Sequence, residues 1–83
     1  MKKEIVINMD GFNKGATEIA ELVALANRYQ STIYFEMENQ KVNVKSIMGM
    51  MSLVLKDGLH ITIHTEGSDD EKALLAMENF LAK

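Results

Sequence analysis

Apolar residues along this chain switch between two periods, and the switches mark its elements. Ile5, Val6 and Ile7 form a β-branched run that predicts a first strand from Glu4 to Asn8. Asp10-Gly11 reads as a loop. From about Ala16 to Tyr29 the period becomes helical, with Ile19, Leu22, Val23 and Ala26 at i, i+3, i+4 and i+7. Asn13 and Thr17 are both suited to cap this helix. Glu18 and Glu21 stand toward its positive end and Arg28 near its negative end, as the macrodipole favours. Thr32 to Met37 alternates, with Ile33, Phe35 and Met37 on one face and Tyr34 and Glu36 on the other, the pattern of a half-buried strand. Glu38-Asn39-Gln40 predicts a hairpin turn, and Val42 and Val44 carry the inward pattern along a short third strand.

The next segment is the most informative. Ser46 precedes a run in which Ile47, Met48, Met50, Met51, Leu53, Val54 and Leu55 are interrupted only by Gly49 and Ser52. Ser46 is placed to cap a second helix over about residues 47 to 54. Two turns of helix bury one stripe, not a whole circumference. Met50 and Leu53, three residues apart, take the inward stripe, and Leu55 follows them inward. Ile47, Met48 and Met51 are then left as an exposed apolar patch beside a hydroxyl. Clustered exposed apolar side chains point to a docking surface, for which methionine's flexible thioether is suited. A phosphate on Ser46 would place charge beside that patch. Ser46 therefore carries two compatible readings, a structural cap and a phosphoacceptor.

Asp57-Gly58 marks another turn. Leu59, Ile61 and Ile63 then face inward on a fourth strand, with His60, Thr62 and His64 outward. Gly67-Ser68-Asp69-Asp70-Glu71 opens a last helix with acidic residues in its first turn, and Ala73, Leu74, Met77 and Leu81 form its buried stripe. The order β-α-β-β-α-β-α predicts a two-layer α+β domain with its helices on one sheet face, spanning residues 1–83 as a single unit.

Composition removes several function classes. The sequence has 83 residues and 47% apolar content, enough for one small core of marginal stability. It has no cysteine, hence no disulfide and no thiolate nucleophile or ligand. A net charge of −3 argues against general nucleic-acid binding, which needs a basic face. No apolar stretch approaches the roughly 20 residues of a membrane span, and Met1-Lys2-Lys3-Glu4 does not open a signal peptide. An unstapled domain of this kind is expected in the cytoplasm. His60 and His64 share a strand face but lie about 13 Å apart, too far for one ion, and no ligand set completes a metal site. Asp69-Asp70-Glu71 lacks the ligand spacing of a calcium loop. No catalytic triad, P-loop or dinucleotide motif is present, and nothing calls for a cofactor. Asn13, Gly15 and the first helix start could form an anion-binding nest.

The run Lys45-Ser46-Ile47-Met48-Gly49-Met50-Met51-Ser52-Leu53 resembles the regulatory-serine segment of HPr, the small phosphocarrier of the bacterial phosphotransferase system. The likeness is closest from Val42 to Leu53, and extends to Val23–Tyr29 and from Ile61 onward. It implies an open-faced β-sandwich, a four-stranded antiparallel sheet of order 1-4-2-3 covered on one face by three helices. It fails at the carrier motif Gly-Leu-His-Ala-Arg-Pro-Ala. Here the sequence is Gly11-Phe12-Asn13-Lys14-Gly15-Ala16-Thr17, so the phosphoacceptor histidine falls at Gly15 or Asn13 and the arginine at Thr17 or Gly15. The chain thus resembles the catabolite-repression branch of the family, in which the carrier histidine is also replaced. That resemblance implies a non-enzymatic regulator, phosphorylated at Ser46 by HPr kinase/phosphorylase. Its reader would be a catabolite-control transcription regulator, docking on Ile47, Met48 and Met51. The alternatives are a phosphocarrier by family membership, or a small anion- or metabolite-binding module.

Overall fold

The computed structural model describes residues 1–7, 16–52 and 58–81, with backbone alone at 16 and 17. The elements are β1 (Lys2–Val6), α1 (Ala16–Ala26), β2 (Thr32–Met37), β3 (Gln40–Asn43), α2 (Ile47–Met51), β4 (His60–Glu66) and α3 (Asp70–Leu81). The strands form one antiparallel sheet in the order β1-β4-β2-β3. Val6 lies opposite His60, and Phe35 opposite Ile63 and also opposite Val42, which lines up these apolar side chains of β3, β2 and β4.

Strand alternation decides which sheet face is covered. Ile33, Phe35, Ile61 and Ile63 are buried, as are Ile19, Leu22, Val23 and Ala26 of α1 and Met50 of α2. Ala73, Leu74, Met77, Phe80 and Leu81 of α3 join the same apolar cluster. This is the open-faced sandwich, with three helices over one side of the sheet. The other side carries Tyr34, Glu36, Thr62 and His64. Buried polar groups are satisfied: Thr65 Oγ1 donates to the Asp70 carbonyl at 2.9 Å, and no buried side-chain N or O among the described residues lacks a partner.

Several element boundaries differ from the pattern in the sequence. β1 starts at Lys2, not Glu4, because backbone pairing with β4 continues to His64 where no apolar side chain marks it. Gln40 belongs to β3 opposite Met37, which shortens the turn to Glu38-Asn39. Val44 is buried but lies past the strand, its N–H donating to the Ile33 carbonyl at 2.9 Å. Leu59 flanks β4 rather than opening it, and is half-buried. α1 stops at Ala26, so exposed Arg28 lies beyond it and α1 has no basic residue in its last turn. The caps at Asn13 and Thr17, the anion nest at Asn13 and Gly15, and the inward Leu53 and Leu55 fall outside the described residues or side chains.

Candidate functional site

Ser46 is the N-cap of α2. Its backbone is extended (φ −97°, ψ 111°), and its Oγ accepts from the Gly49 N–H at 3.3 Å. Its carbonyl accepts the Met50 N–H at 3.0 Å, the first helical bond. At the other end, Ser52 Oγ donates to the Gly49 carbonyl at 2.8 Å, so a serine closes each end of a five-residue helix. Met50 is the one fully buried residue of α2. Around it, Ile47, Met48 and Met51 are 41%, 81% and 46% exposed, which leaves three large apolar side chains exposed in the five residues that follow the serine.

The backbone that leads into Ser46 is held from two sides. Lys45 N–H donates to Asn43 Oδ1 at 2.9 Å, and the Ser46 N–H to the Asn43 carbonyl at 3.0 Å. On the α1 side, Asn27 Nδ2 donates to the carbonyls of Val23 at 2.9 Å and Lys45 at 3.2 Å. The Lys45 ammonium donates to the Tyr29 carbonyl at 2.6 Å. Lys45 thus ties the turn that follows α1 to the start of α2.

Two further arrangements were invisible to local pattern. Asp69 does more than favour a helix start. Its carboxylate accepts from Ser31 Oγ, from the Gln30 N–H at 2.9 Å and from the Ser31 N–H at 2.9 Å, clasping the α1–β2 loop to the start of α3. The Ser31 hydroxyl above all, then the Gln30 N–H, holds this carboxyl below its ordinary value. His64, on the outward face of β4, has Nε2 at 2.6 Å from Glu36 Oε1 across β2 and β4. That pair alone is no metal site, and no group of three or more acidic or histidine side chains among the described residues could hold an ion. No helix among them is long and apolar enough to cross a membrane.

The strand order and the one-sided helices are those of the small open-faced sandwich that the sequence resembles. The family described as the PTS HPr component phosphorylation site matches residues 2–83, and the chain belongs to it. It is 46% identical over 68 residues to the HPr-like protein Crh of Halalkalibacterium halodurans, covering 82% of this chain and 81% of that protein. Against the HPr-like protein Crh of Bacillus subtilis the identity is 42% over 59 residues, covering 71% of this chain and 69% of that one. The crystal structure of the phosphocarrier protein HPr from Bacillus anthracis superposes with a TM-score of 0.87 at 40% identity, covering 98% of this chain and 95% of that one.

Proposed function

We propose that this chain is a regulatory HPr-like protein that acts by binding, in the cytoplasm, and that phosphorylation of Ser46 switches it. The observation that carries this reading is the Ser46 hydroxyl standing beside Ile47, Met48 and Met51, which are exposed although the fold places Met50 of the same turn in the core. Likeness to two HPr-like proteins named Crh supports the catabolite-repression branch. By that resemblance the kinase is HPr kinase/phosphorylase and the reader a catabolite-control transcription regulator. In the modification, Ser46 Oγ attacks the γ-phosphorus of ATP. The new O–P bond replaces the bond to the β,γ-bridging oxygen, ADP leaves, and the hydroxyl proton passes to a base of the kinase.

The product adds about −1.5 to −2 charge at neutral pH. A reader with an apolar pocket rimmed by arginine or lysine would register the phosphate and the patch together. The carrier reading is disfavoured by the sequence, which holds no histidine before His60. Incubation with HPr kinase/phosphorylase and ATP, followed by mass-spectrometric localisation, should give one phosphate on Ser46. No phosphate, or phosphate elsewhere, would overturn the switch. Incubation with phosphoenolpyruvate and enzyme I should give no acid-labile phosphate, and a stoichiometric one would restore the carrier reading.

A further inference from the structure

We propose that Asn27 and Lys45 form a clasp that fixes Ser46 relative to α1, and that both are positioning residues for Ser46 as a phosphoacceptor. The phosphoacceptor half rests on the function proposed above; the clasp itself does not.

α2 is too short to hold its own start in place, since a helix of one turn has paid for nucleation without propagation. Something outside it must hold the cap residue extended. The hydrogen bonds that do so converge on Lys45, the residue immediately before the cap. Its carbonyl accepts from Asn27 Nδ2, its N–H is taken by Asn43 Oδ1, and its ammonium ends on the Tyr29 carbonyl just beyond α1. Asn27 suits the bridge because one amide nitrogen carries two hydrogens. One goes back to Val23 in α1 and the other crosses to Lys45. Aspartate has no donor for either bond. Lys45 adds a charge-assisted bond to the Tyr29 carbonyl, in the turn that follows α1. The end of α1 and the start of α2 thus become one rigid surface, and the Ser46 Oγ is held at a fixed place on it. A kinase that must align this oxygen with a phosphorus atom gains from that order, because reacting groups need near-attack geometry.

The test uses the full chain with Asn27→Ala, Lys45→Met and the conservative Lys45→Arg, read by amide hydrogen exchange and by kinase kinetics. The Gly49 and Met50 amides, which bond to Ser46 Oγ and to the Ser46 carbonyl, should exchange at least tenfold faster in Asn27→Ala and Lys45→Met. The Phe35 and Ile63 amides in the central strands should stay within twofold, which shows that the fold is intact. Lys45→Arg should recover most of the protection. Phosphorylation of Ser46 in the first two variants should lose at least fivefold in kcat with KM little changed, and Lys45→Arg should restore it. Unchanged exchange at Gly49 and Met50 would overturn the clasp. Faster exchange with wild-type kcat would overturn the positioning role. If wild-type Ser46 accepts no phosphate, the proposed function fails, while exchange still decides the clasp.

Discussion

Replacing Gly67 with alanine should be among the most damaging single-methyl changes in this protein. Gly67 has φ of +149°, a backbone state that L-residues rarely adopt. A Cβ built there meets Ser31 Oγ at 2.6 Å and Ser31 Cα at 2.7 Å. Ser31 cannot retreat cheaply. It is 1% exposed, and both its N–H and its hydroxyl are committed to the Asp69 carboxylate. Backbone strain of this kind costs about 1–3 kcal/mol and overpacking a further 1–3 kcal/mol. Gly67→Ala should therefore lose about 4 kcal/mol, a large part of the roughly 5–15 kcal/mol that holds a domain folded. With an m-value of about 1 kcal/mol/M, the urea midpoint should fall by about 4 M or the protein should be unfolded in water. Gly58→Ala is the control. Its φ is also positive, at +84°, but nothing lies within 4 Å of the added Cβ, so strain alone of about 1–2 kcal/mol is expected. Equilibrium urea unfolding of both variants measures the difference. A Gly67→Ala loss no larger than that of Gly58→Ala would refute the close contact with Ser31.

Ser46→Ala should lose about 1 kcal/mol in chemical denaturation through the missing cap, and no measurable change would count against the Gly49 bond. Asp69 has its carboxyl held below its ordinary value, so its contribution is fully present above the unfolded-state value and fades as pH falls through the folded one. The stability gap between wild type and Asp69→Asn should accordingly narrow in acid, and a gap constant from pH 7 to pH 2 would contradict the clamp. Met48→Ala, at an 81% exposed site, should change stability by less than about 0.5 kcal/mol yet weaken the phosphorylation-dependent partner about tenfold in a pull-down titration. Equal binding would remove Met48 from the readout surface.

The parts of this fold visible in the sequence are those whose cause is local. Ile19, Leu22, Val23 and Ala26 show their helix because one stripe is buried, and Ile33 and Phe35 show their strand because one face is. Ser46 shows its role because a cap bonds three residues ahead. What the sequence hid depends on partners distant in the chain. Asp69 reads as a helix-start charge until the fold brings Gln30 and Ser31 onto it. Lys45 carries no local signal until the fold brings the Tyr29 carbonyl to it, and Glu36 meets His64 only because β2 lies next to β4. The end of α1 differs for a local reason: Tyr29 continues the apolar pattern, but the backbone tightens before it, with the Arg28 N–H donating to the Leu25 carbonyl and the Tyr29 N–H to the Ala26 carbonyl.

The strand order has a consequence for how the chain comes together during synthesis. Among the described residues β1 pairs only with β4, Lys2 opposite His64 and Val6 opposite His60, so this strand, made before the other three, has no partner until they have followed. At about 5–20 residues per second the wait is on the order of seconds. Closing so long a loop adds entropy that only the completed pairing returns, which places β1 among the late-docking pieces of the fold. During that interval Ile5 and Ile7 are without their core and the backbone groups of β1 are open to any other strand. Lys2, Lys3 and Glu4, the polar residues that concealed the start of the strand from a hydrophobic pattern, put like and unlike charges along that edge and discourage neighbouring chains from pairing with it.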